Sequence, residues 1–320
     1  MPLGEFDVIA RYFSRAAGRR DVLLGVGDDA ALLLPPPGQA LVAATDTLVE
    51  GRHFLPGTPA AAIGHQCLAV NLSDLAAMGA EPAWALLSLS MPEPDERWLE
   101  EFARGLYALA EAHGIALVGG DTVSGPRVVT VEVLGFVPPA SALRRDGARP
   151  GDLLYVSGTP GEAAAGLELL RAGTFGFDSP DRRVRRFLQA EPRLALGRAL
   201  RGHATAAMDV SDGLLGDLRK LAAASHVGVR LDLGRLPIAP ALGAHYEPAQ
   251  CERYVLHGGD DYELLFTVPP SQAAALAAIE QATGVALHAI GAIVPGAGVT
   301  CVRDGKVETV TGQGYDHFAG

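Results

Sequence analysis

Strand-like apolar runs alternate with helical ones on both sides of a single polar, turn-rich break, RRDGARPGD at residues 144–152. No other feature limits the fold as much, because each side must then bury its own layers of strand and helix. Before the break, VLLGVGDDAALLL and ALVAATDTLV read as strand-like runs. AAIGHQCLAVNLSDLAAMG has apolar residues at Ile63, Cys67, Val70, Leu75 and Met78, the spacing of a helix, which Gly79 and Pro82 end. WALLSLSMP predicts a strand, and PDERWLEEFARGLYALAEAHG an amphipathic helix through Trp98, Phe102, Leu106 and Leu109. IALVGGD and RVVTVEVLGFV predict two more strands. After the break, LLYVSGTPGEAAAGLELLRAG predicts strand then helix, with Thr159 and Glu162 as a capping box and Pro160 in the first helical position. DVSDGLLGDLRKLAAAS predicts strand, turn and helix, and CVRDGKVETV a hairpin on an Asp-Gly turn. A chain of 320 residues, 48% of them hydrophobic, suffices for two cores. The expectation is an α+β protein of two α/β-layered domains with mixed sheets, residues 1–143 and 144–320.

Within the first half, GVGDDA at residues 25–30 matches the glycine spacing of a phosphate-cradling loop but sets Asp28 and Asp29 where an anion would lie. Other acids recur in the same setting, at strand ends and tight turns beside small residues: Asp46, Asp74, Asp121, Asp209, Asp212, Asp260 and Asp261. Each has a plain reading as a turn former or helix cap, Asp212 as the cap of a helix starting at Gly213. Asp74 resists that reading. It falls inside a predicted helix, where aspartate is a poor former, and shares a face with Asn71 three residues earlier. If the carboxylates converge, two of them 4 Å apart repel by about 4 kcal/mol at an effective dielectric near 20. Hard divalent cations relieve that repulsion, and oxygen-only ligands select Mg²⁺.

The remaining composition narrows the partners. A net charge of -11 argues against nucleic acid and anionic membranes. Lys220 and Lys306 are the only lysines and no P-loop motif occurs, so a polyphosphate would have to be approached through metal. The nine histidines make no zinc spacing. The three cysteines are far apart, no run is apolar enough to span a membrane, and the start of the chain lacks a signal-peptide core; a cytoplasmic protein is expected. GVGDDA would then hold phosphate through Mg²⁺, the logic of phosphoryl transfer.

In their order along the chain, GEFDVIARYF, GVGDDAALL, ATDTLVEGRHF, AVNLSDLAAMGAEPAW, GGDT, LRRDGARPGDLLYVSGTPG, DVSDGL, GGDDYELLFTV and GYDHF resemble the thiamine-monophosphate kinase family. NLSDLAAMGA followed by GGDT marks a wider superfamily that includes aminoimidazole ribonucleotide synthetase and selenophosphate synthetase. EGRHF, GYDHF and GEFDVIARYF select the thiamine kinases within it. The resemblance implies ATP-dependent phosphorylation of thiamine monophosphate, a homodimer formed through the N-terminal domains, and ATP with several Mg²⁺ in a cleft between domains. It implies metal ligation by Asp29, Thr45, Asp46, Asp74, Asp121, Asp209 and Asp212. Gly120, Asp121, Arg145 and Ser211 correspond to ATP contacts, and His53, Asp260 and Tyr315 to substrate contacts. Catalysis would rest on Mg²⁺ and Arg145 with no protein base. Two departures stand out: Ala44 where relatives often carry a hydroxyl, and Asp260 where Glu is common. Another ATP-using enzyme of the superfamily and a non-catalytic nucleotide- or Mg²⁺-binding regulator are the competing readings.

Overall fold

A computed structural model describes residues 3–15 and 18–310, and the predicted substrate contact Tyr315 lies outside them. The chain divides into two units, Met1–Leu75 with Ala80–Ala140, and Ala76–Gly79 with Ser141–Gly320. In place of the sequence boundary at 143/144, the contacts divide the chain at 140/141 and lend four residues of a helix end to the second unit.

The first unit contains α1 (Glu5–Val8), β1 (Val22–Leu24), β2 (Leu32–Leu33), β3 (Ala40–Val49), α2 (Ala60–Ala77), β4 (Glu81–Met91), α3 (Glu96–Ala112), β5 (Ala116–Ser124) and β6 (Val128–Val137). Its main sheet has the order β3-β6-β4-β5, with β4 and β5 parallel and the other pairs antiparallel. Alternation along β6 separates the two faces. Val129, Val131 and Val133 are buried, while Thr130, Glu132 and Leu134 between them are partly exposed. Helix α2 covers the valine face, where Leu75 lies against Gly135. Helices α2 and α3 touch through paired glycines. A Cβ on Gly64 would meet the Phe102 carbonyl at 2.1 Å, and one on Gly105 the Ala61 carbonyl at 2.0 Å. Asp95 caps α3, accepting the Trp98 N–H at 3.1 Å. The run VLLGVGDDAALLL is not one strand but the short antiparallel pair β1 and β2 around a loop. Asp28 Oδ1 accepts the Asp29 N–H at 2.8 Å, a local bond that favours the turn over a continuing ladder.

The second unit contains β7 (Leu153–Ser157), α4 (Glu162–Arg171), α5 (Arg182–Leu188), α6 (Leu194–Ala199), β8 (Ala206–Val210), α7 (Leu214–Ser225), β9 (Gly228–Asp232), α8 (Pro240–Gly243), α9 (Pro248–His257), β10 (Glu263–Val268), α10 (Leu276–Thr283), β11 (Leu287–Val294), β12 (Gly298–Arg303) and β13 (Lys306–Glu308). Seven strands in the order β13-β12-β9-β11-β7-β10-β8 form one sheet, in which only β12 and β9 run parallel. One core cluster joins Leu154, Met208, Val210, Val229 and Ile290 of the strands to Leu214, Leu218 and Leu221 of α7. The hairpin β12–β13 turns at Asp304 and Gly305, both with positive φ, as the Asp-Gly signal predicts.

Two local expectations are corrected. Helix α4 begins at Glu162 behind Gly161, not at Pro160, because the Gly161 N–H is drawn to the buried carboxylate of Asp261 at 2.7 Å. Thr159 still reaches Glu162 at 3.3 Å, but without capping the helix. Asp212 is not the cap of α7 either. That position is Gly213, with no side-chain cap, and Asp212 bonds elsewhere.

Candidate active site

Sequence-predicted site residues gather in two places, one in each unit. In the first, the loop Val26–Ala31, the open sheet face and the strand segment Gly119–Thr122 enclose a cavity of about 900 Å³. Asp29, Thr45, Gly120 and Asp121 line it together with Asp28, Ser88, Thr130 and Glu132. Strand register explains the grouping. Thr45 is level with Glu132, and Thr130 with Ser88 and Asp121, so these side chains share the face opposite the valines. Asp46 is level with Val131 and falls on the other face, where it is exposed at the edge strand; Asp74 lies on α2, which packs on that face near Gly135. The predicted ligand set is thus divided between the two faces of one sheet. It is also spread along it, since β3 and β5 are opposite edges, about 14 Å apart at the usual strand spacing.

Gly120 is demanded by the sheet itself: its φ is +147°, and a Cβ there would come within 1.8 Å of the Leu87 carbonyl. The glycine therefore has a packing reason independent of any nucleotide. The helix face bearing Asn71 and Asp74 is interior, with Asn71 fully buried and donating to the Cys67 carbonyl at 2.9 Å. Asn71 Oδ1 has no hydrogen-bond partner among the described residues. His53 accepts the Val49 N–H at Nδ1, 3.0 Å, which leaves the proton of the neutral ring on Nε2.

The second place is one end of the large sheet, where the ends of β7 and β8 meet the start of β10. Asp209 is nearly buried on β8 and alternates with Met208 and Val210, so it lies on the face away from α7. Beyond β8, the N–H groups of Ser211 and Asp212 both donate to Asp217 Oδ2, at 3.0 and 3.1 Å. Lys220 binds Asp212 at 2.5 Å and Asp217 at 2.8 Å. Burial alone would lower the pKa of its ammonium, but the bonds to Asp212 and Asp217 outweigh that and raise it. The next turn, residues 259–262, hangs on the same strand end: the Asp260 N–H donates to the Ser211 carbonyl at 3.0 Å and the Tyr262 N–H to the Val210 carbonyl at 2.9 Å. Arg145 is exposed in the segment after Ser141, its carbonyl held by Ser225 at 2.7 Å. Nearby, the buried Glu263 accepts from Ser157, Arg186 and Arg193, beside a recess of about 350 Å³.

The polar side chains of the large cavity are all oxygen donors, with no His or Cys among them, set among apolar residues such as Phe6, Phe13 and Leu134. Among the described residues, no three His, Cys, Asp or Glu side chains stand close enough to hold a metal ion by themselves. Mg²⁺ takes one or two carboxylates and completes its shell with water and phosphate oxygens, so the donor set fits Mg²⁺ bound together with a polyphosphate.

Comparison with known proteins matches both units. Residues 27–137 match the family described as AIR synthase related protein, N-terminal domain, and residues 149–304 its C-terminal domain. The thiamine-monophosphate kinase of Escherichia coli K12 is 48% identical over 323 residues, covering 100% of this chain and 99% of that protein. The chain belongs to the thiamine-monophosphate kinase family. The crystal structure of the Stenotrophomonas maltophilia thiamine-monophosphate kinase is 46% identical, with a TM-score of 0.88 over 96% of this chain and 99% of that one. AaThiL complexed with AMPPCP and TMP is 33% identical, with a TM-score of 0.78 over 89% of each chain.

Thiamine-monophosphate kinases are enzymes, and in this one sequence reasoning gives no role to Asp217 or Lys220, and none to the buried Asp261 beyond its place among the turn acids. The scarcity of lysine was a signal for the second, since one of only two lysines in the chain sits on a predicted metal ligand. Burial pushes the Asp260 carboxyl up to about 6, opposed by the Tyr262 hydroxyl and reinforced by the charge of Asp212. A folded pKa above the unfolded value means the native state holds the proton more tightly. The contribution of this group to stability is best below about pH 4 and is lost as pH rises through 6. Asp260→Asn is therefore expected to raise the melting temperature of the metal-free protein by about 2–4 °C at neutral pH and by less than about a degree near pH 4. Thermal denaturation at the two pH values checks this, and equal shifts would count against a shifted Asp260.

Proposed function

We propose that this protein transfers the γ-phosphoryl group of ATP to a phosphate oxygen of thiamine monophosphate, giving thiamine diphosphate and ADP. The observation that carries the reading is the gathering of Asp29, Thr45, Gly120 and Asp121 around one cavity, whose walls combine these polar groups with apolar side chains, in a chain with full-length likeness to such kinases. The complex of AaThiL with AMPPCP and TMP, read as an ATP analogue and thiamine monophosphate, supports the same pair of substrates. Asp29, Thr45, Asp46, Asp74, Asp121, Asp209 and Asp212 would hold Mg²⁺. Bound there, Mg²⁺ supplies charge neutralisation between two anionic reactants. Gly120, Asp121, Ser211 and Arg145 would position the nucleotide, with the Arg145 guanidinium as a fixed cation for the transferring group. His53 Nε2–H would donate to the substrate, while Asp260 and Tyr315 would hold its organic half. The attacking oxygen is already anionic at neutral pH. As its bond to the γ-phosphorus forms, the bond to the β–γ bridging oxygen breaks, and no proton has to be removed.

The reading includes a homodimer through the first unit. Phe6, Leu23, Leu24, Leu32, Leu34 and Leu41 are large apolar side chains exposed on that unit, Phe6 at 82%. A dimer interface on that unit would cover such side chains. Sedimentation at micromolar concentration is expected to return twice the chain mass. For the activity, ADP should form from ATP only when thiamine monophosphate is present, with a product heavier by one phosphoryl group. ADP release without thiamine monophosphate, or none with it, would overturn the assignment.

A further inference from the structure

Asp260, Asp261 and Tyr262 form a turn of unusual shape. Asp260 has a φ of +65° and Tyr262 one of +53°, both in the left-handed region that residues other than glycine avoid. Such a conformation persists only where the surroundings over-determine it. Here the flanking backbone is tied to the end of β8 by the Asp260 and Tyr262 N–H groups, as described above. Between them Asp261 is fully buried. Its carboxylate accepts the Gly161 N–H at 2.7 Å and the Ala163 N–H at 3.5 Å, at the start of α4. Its carbonyl accepts from Arg186 at 3.1 Å. A charged or polar group is buried at a cost unless it is used, and here it is used to join the turn to a helix a hundred residues away in sequence. The Asp260 side chain is in turn touched by the Tyr262 hydroxyl at 3.3 Å.

The geometry points to Asp261 as a positioning residue for Asp260: its buried carboxylate anchors the turn to the first turn of α4 and so holds the neighbouring carboxylate, and not its own, toward the substrate. The inference rests on the assignment of Asp260 to thiamine monophosphate. Without the anchor, residues 260 and 262 relax toward right-handed or extended backbone, and the Asp260 carboxylate swings away. Of the nucleotide contacts assigned above, Gly120, Asp121 and Arg145 lie elsewhere in the chain; Ser211 is tied to this turn by its carbonyl, which accepts the Asp260 N–H, while its own N–H is held by Asp217.

The experiment is steady-state kinetics of the full-length protein with each substrate varied in turn, on Asp261→Ala, Asp261→Asn and Asp260→Ala, with melting temperatures alongside. Asp261→Ala is expected to raise KM for thiamine monophosphate at least tenfold and to change KM for ATP less than twofold. Asp261→Asn keeps an acceptor for the Gly161 N–H and is expected to bring KM for thiamine monophosphate back to within about threefold of the parent. Should the alanine variant not fold, Asp261→Ser, which leaves room for water beside the two N–H groups, carries the same tenfold expectation. Equal rises in both KM values would mean that Asp261 only supports the scaffold, and would overturn the proposal. A raised KM in Asp260→Ala beside an unchanged one in Asp261→Ala would overturn the positioning role alone. An unchanged KM in Asp260→Ala would overturn the substrate assignment, and the positioning role with it.

Discussion

Asparagine at Asp121 or at Asp46 is expected to lower turnover of thiamine monophosphate at least about 100-fold, with the fold retained. The two residues make a paired test because they occupy opposite faces and opposite edges of one sheet. Asp121 lines the large cavity beside Asp28 and Asp29, whereas Asp46 is exposed on the opposite face of the sheet. If the carboxylates act as one charge-neutralising set, both variants fall together. If only the cavity face serves the reaction, Asp46→Asn keeps its activity and the ligand assignment for Asp46 and Asp74 fails. Stability gives a second readout. A ligand at 100 times its dissociation constant stabilises the native state by about 2.7 kcal/mol. Mg²⁺ with an ATP analogue should therefore raise the melting temperature of the parent protein by several degrees, and chelation should remove the effect. In Asp121→Asn the rise should shrink or vanish. Its metal-free melting temperature should match or exceed that of the parent, since one of several like charges around the cavity is gone.

Free thiamine is expected to be a poor substrate, with kcat/KM at least about 1,000-fold below that of thiamine monophosphate. Two terms combine. An alcohol must lose a proton as it attacks, and a positioned base typically contributes about 10²–10⁴ to such a step. A phosphate acceptor needs no base. Free thiamine also lacks the anionic group that the oxygen-and-cation chemistry of the cavity would grip. Carboxylates do line the cavity, but as acceptors they are suited to cations more than to a neutral hydroxyl. Competition kinetics with the two acceptors at equal concentration would measure the ratio directly. A ratio near one would mean that the site recognises the organic half alone, and the phosphate-acceptor chemistry would have to be abandoned.

Much of the architecture is legible along the chain because the signals are local. ALVAATDTLV becomes β3 over its whole length, and the alternation in RVVTVEVLGFV becomes the two-faced strand β6. The Asp-Gly hairpin and the helix end at Gly79 follow from backbone preferences of single residues. The errors lie where a distant group intervenes. The start of α4 moves from Pro160 to Glu162 because Asp261, far along the sequence, takes the Gly161 N–H. The loop GVGDDA breaks an apolar run because an aspartate side chain competes for its own backbone.

The same division runs through the candidate site. Residue types alone set the expectation for its chemistry: aspartate and hydroxyl oxygens without lysine in the phosphate motif, and no zinc spacing, point to a hard cation and a phosphate whatever the fold. Only the tertiary structure decided which of those oxygens meet. Adjacent residues on a strand point to opposite faces, so Thr45 and Asp46 part company as soon as β3 is paired. Strand order, which no local pattern encodes, then sets β3 and β5 at opposite edges. Burial likewise turned Asp217 and Asp261, which look in sequence like any turn or helix acids, into anchors for backbone N–H groups of their surroundings. A carboxylate withdrawn from water must be satisfied by protein N–H groups or cations, and only the packed chain determines which ones are within reach.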